Sequence, residues 1–197
     1  MRKIITTMWV SLDGFIAGPN DEMDWIGELY DEAMGVYEHN FVSSADTLLL
    51  GRVTYQSFAG SWPHVPDSPT APEEEKAYAR LINAMQKIVF SRTLESADWN
   101  NSQLLREVIP ADIERLKQEP GRDIIIYGSA SLVHTFTNLG LIDEYQLLVH
   151  PVILGSGKPL FQDIKDKVKL KLVNSTTNPS GVIVLSYQPS AQHNSAL

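Results

Sequence analysis

Residues Asp123–Phe161 read DIIIYGSASLVHTFTNLGLIDEYQLLVHPVILGSGKPLF. The opening run of β-branched residues predicts a strand over Asp123–Tyr127 of the kind buried on both faces. It runs straight into Tyr127-Gly128-Ser129-Ala130-Ser131, where small side chains let a ligand come close to the backbone. An amphipathic helix over Ser129–Leu139 follows, then an alternating strand over Glu144–His150 and a Gly155-Ser156-Gly157 turn. A strand that delivers small residues to a helix start exposes unpaired N–H groups and the positive end of the helix dipole. By itself this physics supports an anion or nucleotide site.

Working outward, the same alternation recurs. Ile4–Val10 reads as a strand, and Asp13-Gly14 and Gly18-Pro19-Asn20-Asp21 punctuate the loop after it. Tyr30, Met34, Tyr37 and Phe41 recur at helical spacing, predicting a helix over Asp31–Ser43. Thr47–Leu50 is a short strand, and Gly51-Arg52-Val53-Thr54 opens a helix that Trp62-Pro63 ends. The proline-rich stretch Val65–Pro72 is an exposed loop. Tyr78, Leu81, Ile82 and Met85 line the next helix, and Lys87–Ser91 is a strand, with a second short one over Leu104–Val108. Ile113 and Leu116 mark a brief helix. Leu170–Asn174 and Val182–Tyr187 alternate as an antiparallel edge pair, and residues 189–197 form a polar tail. Alternating strands and helices imply one domain over residues 1–188, with a largely parallel sheet covered on both faces. Ligands of such sheets sit beyond the carboxyl ends of the strands. Gly51, Ser91 and Gly128 all fall there, which points to one shared site.

Composition bounds the function. At 197 residues with 43% hydrophobic and 20% charged content, the chain has the make-up of an ordinary globular domain. A net charge of -8 argues against a broad nucleic-acid surface. The absence of cysteine removes disulfides, thiol catalysis and thiolate metal sites. No signal peptide and no apolar run long enough for a bilayer are visible, so a cytoplasmic location without membrane contact is expected. The five histidines show no ligand spacing, and no metal site is implied. Gly155-Ser156-Gly157-Lys158-Pro159 invites a phosphate-loop reading, but that motif needs glycine at 152 and serine or threonine at 159, where this chain has Val152 and Pro159.

The ordered set of motifs resembles the dihydrofolate reductase-like family, in the branch built like the C-terminal reductase domain of bacterial riboflavin biosynthesis proteins. Four segments carry the resemblance: Ser11-Leu12-Asp13-Gly14-Phe15-Ile16-Ala17; Gly51-Arg52-Val53-Thr54 with the following Trp62-Pro63; Tyr127-Gly128-Ser129-Ala130-Ser131-Leu132; and Gly140-Leu141-Ile142-Asp143-Glu144 leading to Pro151-Val152-Ile153-Leu154-Gly155-Ser156-Gly157. Relatives carry two or three glycines where this chain keeps only Gly128.

The resemblance implies a three-layer α/β/α fold with a mixed, mostly parallel sheet and an antiparallel C-terminal edge. It implies NADP as cofactor. Gly51, Arg52, Val53 and Thr54 would meet its phosphates together with Gly128, Ser129, Ala130 and Ser131. Ile16, Ala17, Tyr127 and Leu132 would line its course, and Ser91 and Arg92 would meet the adenosine 2′-phosphate. The substrate implied is a small heterocycle, either a pterin or a ribosylated aminopyrimidine, and relatives pair as dimers through the Leu141–Pro159 region. Two carboxylates are candidates for catalysis. Asp13 is the first, on the loop beside the nicotinamide. Asp31 is the second, in the region where folate reductases place one acid early in a helix; a first-turn acid favouring the helix dipole is its plain alternative. The competing reading is a non-catalytic nucleotide-binding protein on the same fold.

Overall fold

The computed structural model describes residues 1–190. Strand β1 (Ile4–Ser11) leads through a tight turn to β2 (Phe15–Ala17) and a short helix α1 (Asp24–Gly27). Helix α2 (Glu32–Ser43) precedes β3 (Ala45–Gly51), α3 (Arg52–Ser61), a 3-10 turn at Val65–Asp67 and α4 (Glu73–Ala84). Then come β4 (Gln86–Phe90), β5 (Ser102–Leu105), α5 (Pro110–Gln118), β6 (Asp123–Tyr127), α6 (Ala130–Asn138) and β7 (Glu144–His150). The chain ends with β8 (Lys158–Pro159), β9 (Leu170–Thr177) and β10 (Ile183–Pro189).

Eight strands form one sheet in the order β5-β4-β3-β6-β1-β7-β10-β9. The pairs from β5 to β7 are all parallel, while β10 runs antiparallel to both β7 and β9. The mixed sheet with its antiparallel C-terminal edge is therefore as expected.

The pleat explains the layers. Ile124 and Ile126 of β6 face α5 and α6, joining Ile4, Met8, Ile113, Leu116, Val133 and Phe136 in one core. Ile125 and Tyr127 face the opposite way, with Leu48, Leu50, Phe41, Tyr55 and Ile82 of the α2, α3 and α4 side. Because side chains alternate faces, a strand between two helical layers must be apolar at every position, and Ile124, Ile125 and Ile126 are all fully buried.

Besides shifts in element bounds, such as β5 at Ser102–Leu105 rather than Leu104–Val108, three features differ from expectation. β2 and β8 pair as a separate antiparallel ribbon (Phe15↔Pro159, Ala17↔Lys158) within stretches read as loops. Helix α1 is a single turn and likewise falls in a predicted loop. Pro189, expected to begin the tail, ends β10 opposite Leu170 because the β9–β10 ladder continues that far. The rest of the expected tail, residues 191–197, lies outside the described residues.

Candidate active site

Two junctions at the carboxyl edge of the sheet meet face to face. β3 ends at Gly51 and β6 at Tyr127, and the register Leu49↔Ile126 sets them side by side. A side chain on Gly51 would find Ser129 in its place, its Cβ lying 2.2 Å from Ser129 Oγ. A Cβ on Gly128 would stand 3.4 Å from the Thr54 side chain. Gly128 and Ser129 both adopt left-handed backbone, at φ 63° and 61°. That pair of residues turns the chain sharply from strand into helix, and for serine the conformation costs about 1–2 kcal/mol. Neither α3 nor α6 has a side-chain N-cap, so the first N–H groups of both helices are left for a ligand. Ser129 Oγ and Ser131 Oγ stand 3.3 Å apart at the same start.

The other expected cofactor residues divide by role. Arg52 is exposed, and its guanidinium donates to Gln56 Oε1 at 3.0 Å. Ser91 follows the β4 residue paired with Gly51, which brings the third junction alongside the first. Its hydroxyl accepts from the N–H groups of Thr93 and Leu94 at 3.2 and 2.9 Å, so it shapes its own turn. Arg106 braces that turn by donating to the Ser91 and Leu94 carbonyls, a residue the motifs did not mark. Arg92 is exposed and enters no ion pair among the described residues. Val53 is exposed, whereas the Ala130 and Leu132 side chains lie in the core and can offer a ligand only backbone. Ile16 and Ala17 stand in the small ribbon, where a Cβ on Gly157 would come within 2.1 Å of the Ala17 carbonyl. Only glycine permits that closeness.

The two candidate carboxylates carry structural duties in this fold. Asp13 accepts from the backbone N–H of Leu154 at 3.1 Å and Gly155 at 2.7 Å, and from Ser11 Oγ at 2.7 Å. The Ser11 hydroxyl and these backbone donors hold its carboxyl below the ordinary value. Asp13 thus straps the β1–β2 turn to the 154–155 loop. Asp31 is the N-cap of α2, accepting from Met34 N at 2.8 Å.

A different carboxyl occupies the interior. Glu38, in the middle of α2, is 8% exposed. Tyr30 donates to its Oε2 at 2.9 Å and Tyr127 to its Oε1 at 3.1 Å. Tyr78 of α4 donates to the Tyr127 hydroxyl at 3.1 Å. Burial drives the Glu38 carboxyl upward, against the pull of the two tyrosine hydrogen bonds. Burial next to Glu38 likewise raises Tyr30, Tyr37 and Tyr78 well above the usual phenol range. Phe58 stacks edge-on to Tyr127 at 5.4 Å, and Trp62 lies 5.2 Å from Tyr78, closing an aromatic wall around the group. So Tyr127, expected to serve the cofactor, turns its hydroxyl toward Glu38. On the β7 side, Trp25 meets the buried His150 edge-on at 5.0 Å, and the Trp25 indole N–H has no partner among the described residues. Burial pushes His150 down, opposed by its hydrogen bond to the Leu148 carbonyl. Among the described residues no cluster of His, Cys, Asp or Glu is placed to hold a metal, and no helix is long and apolar enough to cross a membrane.

A mostly parallel sheet with an antiparallel C-terminal edge, and two helix starts converging at the carboxyl ends of its parallel strands, has the architecture of the dihydrofolate reductase-like α/β fold. The chain belongs to the RibD C-terminal domain family, whose match spans residues 2–184. It is 42% identical over 186 residues to the uncharacterized protein YyaP of Bacillus subtilis (strain 168), covering 94% of each chain. Among solved structures it is similar to a putative riboflavin biosynthesis protein from Shewanella sp. PV-4, with TM-score 0.73, 19% identity, and 95% and 99% of the two chains covered. It also resembles the diaminohydroxyphosphoribosylaminopyrimidine deaminase/5-amino-6-(5-phosphoribosylamino)uracil reductase of Thermotoga maritima (TM-score 0.65, 15% identity), covering 96% of this chain and 57% of that one. A dihydrofolate reductase from Enterococcus faecalis complexed with NADP(H) matches with TM-score 0.59 and 11% identity over 95% and 96% of the chains. At these identities the structural likenesses establish the fold.

Proposed function

We propose that this chain is an NADPH-dependent reductase of a small heterocycle, of the dihydrofolate (pterin) or ribosylaminopyrimidine type, acting in the cytoplasm as a homodimer. One observation carries the reading: the convergence of Gly51–Thr54 with Gly128–Ser131, where Gly51 lets Ser129 pack close and the first N–H groups of both helices, without side-chain caps, form a cradle at the carboxyl edge of the sheet. That cradle fits a dinucleotide pyrophosphate. Arg52 and Arg92 are exposed on the flanking turns and suit phosphate groups, Arg92 the 2′-phosphate that separates NADPH from NADH.

When bound, the reduced nicotinamide supplies a hydride. The chain does the rest. Backbone N–H groups at Arg52, Ala130 and Ser131 would hold and orient the cofactor's phosphates. The Asp13 strap fixes the loop pair at the end of β1. The aromatic wall of Phe58, Trp62, Tyr78 and Tyr127 offers flat surfaces to a ring substrate and excludes water.

A titration of purified protein with NADPH and NADH, followed by tryptophan fluorescence, tests this reading. Saturable binding that favours NADPH is the expected result; no binding of either by folded protein overturns it. The second reading, a nucleotide-binding protein without turnover, draws on the structural employment of both Asp13 and Asp31. It requires NADPH binding with no oxidation across a panel of pterins and aminopyrimidines.

A further inference from the structure

We propose that Tyr30, Glu38 and Tyr127 form a proton relay, running from solvent at Tyr30 through the buried Glu38 carboxyl to the Tyr127 hydroxyl at the end of β6, where it supplies the proton that a reduction consumes. The assignment rests on the reductase reading for its purpose and on geometry for its path.

The geometry is continuous. Tyr30 is 47% exposed, so one end of the chain of hydroxyls meets water. Its hydroxyl is 2.9 Å from Glu38 Oε2, and the other carboxyl oxygen is 3.1 Å from the Tyr127 hydroxyl. Tyr127 directly precedes Gly128 and Ser129, so the residue that bears the inner hydroxyl adjoins the turn assigned to the cofactor. Three separate elements contribute: the loop before α2, α2 itself and β6. A carboxylate buried among aromatic rings with no cation beside it is costly, and among the described residues no lysine or arginine pairs with Glu38. A structural helix position would be better served by an apolar residue, as at Met34 and Phe41 on the same face. Burial favours the neutral acid, which is the form that has a proton to pass on. The remaining groups facing the site are Tyr78, which donates to the Tyr127 oxygen, and Tyr37, whose hydroxyl is turned to Gln146.

The step balances as follows. The carbon of a C=N or C=O bond receives the hydride with its electron pair, and the nitrogen or oxygen takes the Tyr127 proton. Tyr127 regains a proton from the Glu38 acid, Glu38 from Tyr30, and Tyr30 from water. One solvent proton is consumed per turnover, and no protein group is oxidised or reduced.

Infrared spectroscopy of the full chain decides the relay without a substrate. At neutral pH the protein should show a carboxylic acid C=O band, assigned to Glu38 by its loss in Glu38→Gln. If that variant does not fold, loss of the band in Glu38→Asp combined with carbon-13 glutamate labelling makes the assignment. On transfer to D2O the wild-type band should shift within the mixing time. In Tyr30→Phe the band should persist but shift at least an order of magnitude more slowly. NADPH should displace the band in wild type and not in Tyr127→Phe. Absence of the acid band, exchange in Tyr30→Phe as fast as in wild type, or an unmoved band in protein that demonstrably binds NADPH would each overturn the relay. Failure of wild type to bind NADPH is a separate result: it removes the reductase reading, while the exchange kinetics still decide whether the path conducts protons.

Discussion

Ser129 occupies the space that a side chain at Gly51 would need, its Oγ standing 2.2 Å from the position of a Cβ there. The β3–α3 and β6–α6 junctions are therefore fitted to one another. A glycine in one permits a serine in the other.

Gly51→Ala should destabilise the fold by about 1 kcal/mol, since Ser129 must rotate away and Ser129 Cβ lies only 3.2 Å from the new atom. Ser129→Gly should stabilise it by about 1 kcal/mol, because the left-handed backbone at φ 61° is relieved. In the double variant the Gly51→Ala penalty should vanish. Denaturant titration of the four proteins closes the cycle, and strict additivity would mean that the two junctions do not touch in solution.

Arg52→Ala should weaken binding of NADPH and NADH alike, by roughly tenfold, as expected for loss of one charge-assisted phosphate contact. Arg92→Ala should weaken NADPH only and bring the two affinities together. Isothermal calorimetry with both nucleotides distinguishes the cases. An Arg92 variant with undiminished NADPH preference would move the 2′-phosphate contact elsewhere.

Asp13→Asn should loosen the loop around residues 154–155 while leaving nucleotide affinity far less affected than Arg52→Ala. Asparagine retains one acceptor oxygen where the carboxylate uses both. Faster amide exchange at Leu154 and Gly155 is the expected signature. The carboxyl lies below its ordinary 3.8 in the fold, so the strap holds above that pH and is lost as pH falls through the lower folded value.

Lys87 gives a stability change with pH. It is fully buried at the start of β4, where its Nζ donates to the Asn83 and Asn100 carbonyls and sits 4.2 Å from the centre of the Trp99 ring. Burial pulls it from 10.5 to about 8. Between those values the unfolded chain holds the proton more tightly than the folded one, so this residue makes stability rise with pH across that window. The stability of wild type relative to Lys87→Met should therefore grow between pH 8 and pH 10, as measured by urea midpoints. A gap that shrinks would show that the ammonium is favoured in the fold.

The layer order was legible because it follows from periodicity over whole segments. Ile124, Ile125 and Ile126 announce a strand buried on both faces, and Tyr30, Met34, Tyr37 and Phe41 announce a helix. The β2–β8 ribbon was not legible. Its members have three and two residues, too few for any period, and they lie far apart in sequence. The glycine junctions were found because close approach restricts residue type locally. Glu38 was missed because nothing within α2 marks it except a charge on an apolar face; its partners Tyr30 and Tyr127 are brought to it by tertiary packing. In the sequence Asp13 and Asp31 are simply acids near the loops that the resemblance marks, and only geometry reveals that backbone N–H groups already claim them.

The strand order also dictates when this protein can fold. β1 is made before every other strand of the sheet, yet both of its sheet neighbours, β6 and β7, come from the stretch between residues 123 and 150. Its hydrogen bonds have no partner until that stretch has left the ribosome. β6 then inserts between β1 and β3 and closes the two halves in one event. Folding should be late and strongly cooperative, with slow formation of long-range parallel pairs. Chains truncated before Asp123 should expose β1 and aggregate rather than persist as a folded half.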